Sequence, residues 1–344
     1  MGRVINKKGI IISAIVSTYN SEKFIRGKLD DLLEQTVSDK LEIIVVNSGS
    51  LQNEDKIICE YQEKFFNIKY IKTEQRETIY KAWNRAIRIA EGQFITNANT
   101  DDRLKKDALE ILSKELIENS DVALVYADQY VTNEANKKFD EIKIKKIEMM
   151  PEFDYLIQLD RCLVFSQPMW RASLHFNDNI WFDEKLEICG DHEFHLNLSL
   201  KYKMKHLPVV LGAFYLDPLK NNLSHRNIDL VEEERKYITF LYMRRYLENL
   251  TKKKLSVLLK RFLFFTRIPI TLFLLIVRVE SLIFKKKHVF YLEFTYLFTS
   301  LIFEYLQQYD NAINCCKKFL RKRKSVRIEQ ELNRLKTIIR KQGK

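Results

Sequence analysis

No part of this chain supplies the ~20 consecutive apolar residues that a membrane-spanning helix needs. In its most apolar part, residues 255–284, the uncharged stretch 268–277 is only ten residues long. Cysteine is sparse and odd in number, at five, and no Cys-x-x-Cys pair occurs, which argues against a zinc site or a disulfide frame and for a reducing compartment. The first residues lack the long apolar run of a signal peptide, so synthesis in the cytosol is expected. There are only eight glycines, and none lies in the polar turn Thr18-Tyr19-Asn20-Ser21 at the end of the first strand-like run. A sugar nucleotidyltransferase would carry a Gly-rich, basic phosphate loop there. What is present is a core: 46% hydrophobic and 12% aromatic residues over 344 positions suit a globular domain with an appendage.

Charge is unevenly spread. Residues 226–344 hold 27 Lys and Arg against 11 Asp and Glu, whereas residues 1–225 hold 31 against 35. The whole basic excess therefore sits in the last third, which suggests a negatively charged partner. No recognised nucleic-acid module accompanies it, so nucleic acid is not the expected partner.

The front of the chain alternates strand and helix. β-branched runs at 11–18, 41–46 and 68–71 and the run 93–96 are separated by amphipathic stretches at 23–35, 53–65 and 80–90, and another helix starts near Lys106. This order predicts an α/β fold with a mostly parallel sheet flanked by helices. Ligands in such sheets bind beyond the carboxyl ends of the strands. Three polar turns fall at such ends: Ser17-Thr18-Tyr19-Asn20, Asn47-Ser48-Gly49-Ser50 and Asn99-Thr100-Asp101-Asp102. An Asp-Asp pair alone is more often a helix-capping turn. Placed after a strand beside two other polar turns, it suits a hard divalent cation, which prefers oxygen ligands and itself binds phosphates.

Six segments in this order resemble the family 2 glycosyltransferases of GT-A fold: Val16-Ser17-Thr18-Tyr19-Asn20, Ile79-Tyr80-Lys81-Ala82-Trp83-Asn84, Glu91-Gly92-Gln93-Phe94-Ile95, the Asn-Thr-Asp-Asp turn, Gln167-Pro168-Met169-Trp170-Arg171 and Gly190-Asp191-His192-Glu193-Phe194. Gly49, Gly92, Gly190 and Gly212 fall in or beside them, as close backbone approach or positive φ would require. The resemblance implies a nucleoside diphosphate sugar donor. Ser17 and Tyr19 would border its base, Asn99 its ribose, and Asp101 would hold Mn2+ or Mg2+, with Asp102 behind it. His225 would be a second metal ligand. Asn47 and Ser48 would also contact the nucleotide, standing where relatives commonly have two aspartates that read the base edge; both can donate as well as accept, which leaves the base open. Asp191 would be the catalytic base of an inverting transfer, kept ionised by a helix N-terminus, with Glu193 as the fallback. Trp170, Arg171 and Glu193 would lie on the acceptor side. His192, His195 and His206 show no ligand spacing and read as structural.

Behind residue 227 the expectation is helical. Lys260, Arg267, Arg278 and Lys285 recur at steps of seven, eleven and seven, which at about 100° per residue puts them in one stripe. With the apolar residues around them they fit either a helix lying in an anionic membrane interface or one packed on the enzyme. Residues 296–318 resemble a single degenerate tetratricopeptide hairpin, and Arg321-Lys322-Arg323-Lys324 opens a basic terminal helix. The expected organisation is a GT-A domain at 1–227, a basic apolar helical segment at 228–288, and a helical hairpin with a terminal helix at 289–344. The expected activity is transfer to a glycan or lipid-linked acceptor in bacterial surface-glycan assembly, at the cytoplasmic face of the membrane. The alternatives are a nucleotidyltransferase or an inactive nucleotide-sugar-binding scaffold.

Overall fold

A computed structural model describes residues 9–165, 167–219, 222–223 and 227–249, with short pieces at 317, 329–330 and 332–337. His225, the basic apolar stripe and the tetratricopeptide-like hairpin lie outside the described residues. Among those that are described, no helix is long and apolar enough to cross a membrane.

The first half keeps the alternation in the sequence: β1 (Ile12–Thr18), α1 (Glu22–Leu33), β2 (Leu41–Asn47), α2 (Glu54–Gln62), β3 (Ile68–Lys72), α3 (Ile79–Ile89) and β4 (Phe94–Asn97). β3, β2, β1 and β4 are parallel neighbours in that order. β1 and β2 are buried along nearly their whole length, as strands covered on both faces must be. On one face Ala14, Val16, Ile43 and Val45 join Ile25, Leu29 and Leu32 of α1 in the main core. On the other, the buried Trp83, Ala86 and Ile87 belong to α3, which packs across β1 and β2.

The second half is less regular. β5 (Arg103–Leu104), α4 (Ala108–Glu118), β6 (Val122–Thr132), β7 (Lys146–Glu148), α5 (Tyr155–Asp160), β8 (Met169–Arg171), α6 (Ser173–Phe176), α7 (Gly190–Ser199) and β9 (Lys203–Tyr215) complete a nine-stranded sheet. β8 runs antiparallel to both β4 and β6, so the sheet is mixed beyond β4 rather than mostly parallel throughout. β6 and β9 are then parallel, and β5 pairs with β9 in antiparallel fashion. The last long helix among the described residues is α8 (Ile228–Asn249). The chain divides into two compact units between Thr239 and Phe240, so the first turns of α8 belong to the unit that holds the sheet.

Gly92, in the turn before β4, shows why glycine sits at these joints. A Cβ there would meet the Ile12 carbonyl carbon and the Ser13 nitrogen at 2.7 Å, and backbone cannot give way. Gly212 has ordinary room, its nearest neighbour being the Arg103 carbonyl oxygen at 3.6 Å.

Candidate active site

Because β1, β2 and β4 are parallel neighbours, their carboxyl ends lie side by side, and a cleft of about 2110 Å³ opens along them. Ser17, Tyr19, Ser48, Asn99 and Asp101 line it from the strand ends, and Asp191 lines it from the head of α7. The two carboxylates singled out in the sequence thus share one cavity.

The Asn99–Asp102 turn is held from behind. Asp102 is 1% exposed and does not face the cleft. Its Oδ1 accepts from the backbone N–H of Tyr215 at the end of β9 (3.1 Å), and its Oδ2 accepts from the Asn99 amide (3.1 Å). Asp102 therefore joins the turn to β9 and orients Asn99. Burial raises the pKa of both carboxyls of the pair, and the neighbouring Asp101 charge helps push Asp102 up to about 7.

A charged layer lies beneath the turn. Lys28 of α1 is fully buried; its ammonium donates to Asp31 Oδ2 (3.2 Å) and Gln167 Oε1 (3.1 Å). Asp31 Oδ2 also accepts the N–H of Leu104 (2.9 Å). Arg103 donates to the carbonyls of Thr100 (3.1 Å) and Asp102 (2.7 Å). Burial lowers the pKa of Lys28 and raises that of Asp31. The sequence signalled none of this, since Lys28 reads as the polar face of an amphipathic helix.

At the β2 end the two residues part company. Asn47 is 1% exposed and already committed: its amide donates to the Tyr70 hydroxyl (3.1 Å) and its Oδ1 accepts from the Ser50 N–H (2.9 Å). Ser48 lines the cleft, and its buried hydroxyl has no hydrogen-bond partner among the described residues. The Arg76 guanidinium sits 4.6 Å from the Tyr19 ring centre, which makes that aromatic wall cationic. Arg76 was not anticipated from the sequence.

Asp191 is in the first turn of α7, and its Oδ1 accepts the His192 N–H (2.7 Å). The Tyr80 hydroxyl lies 3.4 Å from the same oxygen and makes a shorter contact to the Ile188 carbonyl, where its one proton goes. A helix N-terminus was expected to lower this carboxyl's pKa. Instead burial outweighs the hydrogen bond from the His192 N–H, and the pKa rises to about 6. Gly190 is required here, because a Cβ would meet the Tyr80 ring at 2.6 Å.

The expected acceptor side divides in the structure. Trp170 reaches the cleft only by an edge: it is 1% exposed, packs on Phe182 and Phe194, and donates from Nε1 to His175 Nε2 (2.8 Å). Its neighbour Arg171 must point to the other face of the strand. There its guanidinium caps the end of α4, donating to the carbonyls of Leu116 and Asn119 (2.9 Å), and reaches that of Val122 at the start of β6 (2.7 Å). Glu193, two residues beyond Asp191, lies about 200° around the helix and is 7% exposed in the interior. Cys162, Val164, Phe165 and His195 also line the cleft, with burial lowering the His195 pKa to about 3, so its ring is neutral.

Comparison with known proteins agrees with this architecture. Residues 13–170 match the family model described as glycosyl transferase family 2. An uncharacterized glycosyltransferase of Methanocaldococcus jannaschii is 26% identical over 216 residues, covering 62% of this chain and 73% of that protein. Chondroitin synthase of Pasteurella multocida is 29% identical over 220 residues, covering 64% of this chain but only 22% of the synthase. Among solved structures, S. aureus TarS in complex with UDP-GlcNAc superposes with a TM-score of 0.52 at 21% identity, over 70% of this chain and 73% of that one. That likeness is one of fold, the GT-A fold. What the comparison assigns to glycosyl transferase family 2 is thus the part of the chain from residue 13 to residue 170.

Proposed function

We propose that this chain is a divalent-metal-dependent, inverting glycosyltransferase. It moves a sugar from a nucleoside diphosphate sugar to a hydroxyl of a glycan or lipid-linked acceptor in bacterial surface-glycan assembly. The observation that carries this reading is the pairing of Asp101 and Asp191 on one cleft at the carboxyl ends of parallel strands. Chondroitin synthase is by its name a maker of polysaccharide, and TarS is seen with UDP-GlcNAc, which supports the donor class.

In this reading Ser17, Tyr19 and Ser48 border the base, and Asn99 reaches the ribose. The acceptor oxygen attacks the anomeric carbon while the bond from that carbon to the diphosphate oxygen breaks. The hydroxyl proton passes to Asp191. A base with a pKa of about 6 is ionised at neutral pH yet basic enough to take that proton.

The donor set fits Mn2+ or Mg2+. Asp101 presents a half-buried carboxylate to the cleft, and Mg2+ in particular is commonly held by one or two carboxylates plus substrate phosphates. His225 is assigned as a further ligand from the resemblance alone. When bound, the cation offsets the charge of the departing diphosphate.

The test is a screen of nucleotide sugars for hydrolysis or transfer with and without Mn2+. We expect metal-dependent release of a nucleoside diphosphate, lost by at least 100-fold in Asp101→Asn. Full activity in EDTA would sink the metal-dependent reading. The cationic last third is assigned to the cytoplasmic face of the cell membrane, so the chain should pellet with anionic vesicles and not with neutral ones. Equal, negligible pelleting on both would remove that assignment.

A further inference from the structure

The loop that delivers Asp191 is gripped by a residue that no sequence motif marks. We propose that Glu234, on α8, is a positioning residue for the catalytic base, an inference that rests on the function proposed above. Three successive backbone N–H groups converge on its carboxylate. Glu187 donates to Oε1 (2.6 Å), and Ile188 (3.0 Å) and Cys189 (2.8 Å) both donate to Oε2. Glu234 is 6% exposed, and a buried charge of this kind is tolerated only when donors surround it. Only an acceptor with no proton of its own can take all three.

The same loop is held from the other side. The Tyr80 hydroxyl of α3 donates to the Ile188 carbonyl, so this residue's N–H and C=O are fixed by two different helices. Glu187 and Ile188 themselves line the cleft. Two residues later α7 begins and projects Asp191 into it. α8 is in turn anchored to the end of α5, where Thr239 donates to the Leu159 carbonyl (3.1 Å) and Arg235 to the Asp160 carbonyl. Its position is therefore set independently of the loop it holds.

Glu234 also acts on Asp191 through charge. The groups facing Asp191 are Tyr80 from α3, Cys162 from the segment before β8, Cys189 beside it and Glu234 from α8. Burial is the main cause of the raised Asp191 pKa, and the negative charge of Glu234 adds to it. Removing that charge, or loosening the loop so that water enters, moves the pKa in the same direction, downwards.

Glu234→Gln tests this in the full-length chain. It keeps the size of the side chain but turns an NH2 group toward donors. Hydrogen exchange at the amides of residues 187–189 should quicken at least tenfold, with the rest of the sheet unchanged. In turnover of the nucleotide sugar that the wild-type chain consumes in the screen, kcat should fall roughly 10- to 100-fold, with donor KM within threefold. The acid limb of kcat/KM should move to lower pH by half a unit or more, a shift that a general loss of stability does not produce. If the Gln variant does not fold, Glu234→Asp, which keeps the charge on a shorter arm, takes the same measurements and should give a smaller loss. Unchanged amide exchange, or unchanged kcat and pH midpoint in a folded variant, overturns the proposal. A wild-type chain that turns over no nucleotide sugar sinks the glycosyltransfer reading instead, and the exchange measurement still decides whether Glu234 holds the loop.

Discussion

Replacing Asp191 with Asn should lower kcat by 10³-fold or more while leaving the affinity for the nucleoside diphosphate within about twofold. General-base catalysis is worth about 10²–10⁴-fold, and Asp191 is the one ionisable carboxylate that α7 presents to the cleft. Asn keeps the shape and can still accept the His192 N–H, so the loop should not move. The wild-type pH profile gives a second reading. The base must be ionised, so kcat/KM should fall tenfold per unit below about pH 6. Undiminished turnover in Asp191→Asn would remove this residue from the mechanism.

The same substitution should stabilise the fold. The carboxyl has a higher pKa in the folded chain, about 6, than the usual carboxylate value, so the folded state takes up a proton between about pH 4 and 6. Its ionised form is then a cost that grows through that window and is fully present at pH 7. At about 1.4 kcal/mol per unit the cost reaches at most about 3 kcal/mol. A higher Tm for Asp191→Asn at pH 7 than for wild type, with the difference closing near pH 4, is the expected pattern.

Lys28→Met should be the most damaging substitution away from the cleft. Lys28 is 0% exposed and its ammonium is 3.2 Å from Asp31. Methionine fits the volume but leaves Asp31 and Asp102 with Arg103 as their cation. Breaking a buried pair on one side typically costs about 3–5 kcal/mol. For a chain this size the melting temperature should fall by roughly 10 °C. The deficit should shrink at pH 5 relative to pH 8, because protonating the orphaned carboxylates relieves it. Lys28→Met combined with Asp31→Leu should recover a good part of the loss, since an apolar pair makes no such demand. A deficit of under about 1 kcal/mol in the single variant would show that the layer beneath the acidic turn is not electrostatically balanced as described.

The front of the sheet was readable because parallel strands buried on both faces are near-continuous apolar runs, and the helices between them carry a clear 3.6 period. The readable part of the site was what those strands end in, Ser17, Ser48 and the Asn99–Asp101 turn. Among the later strands, β5, β7 and β8 have two or three residues each, too few to show a period. Side-chain direction was lost for the same reason. Trp170 and Arg171 are adjacent in sequence and share one expected role, but a strand sends neighbours to opposite faces. Asp191 and Glu193 were grouped in the same way, although a helix turns them apart. The pKa of Asp191 lies on the opposite side from the one a helix terminus alone implies, because burial, which only tertiary structure supplies, outweighs that local effect. From the sequence Asn47 is expected among the nucleotide contacts, whereas the Ser50 N–H and the hydroxyl of Tyr70, on the neighbouring strand, take up its side chain.

The family match stops at residue 170, while the proposed base lies at 191 and the carboxylate gripping its loop at 234. A survey that maps substitutions onto that match alone would file a change at position 234 as lying outside the enzyme. An expression plasmid trimmed to the match would likewise encode β1 to β7 and most of β8 without the wall that carries Asp191. A stretch that keeps positions 191 and 234 together with the whole first compact unit runs through Thr239.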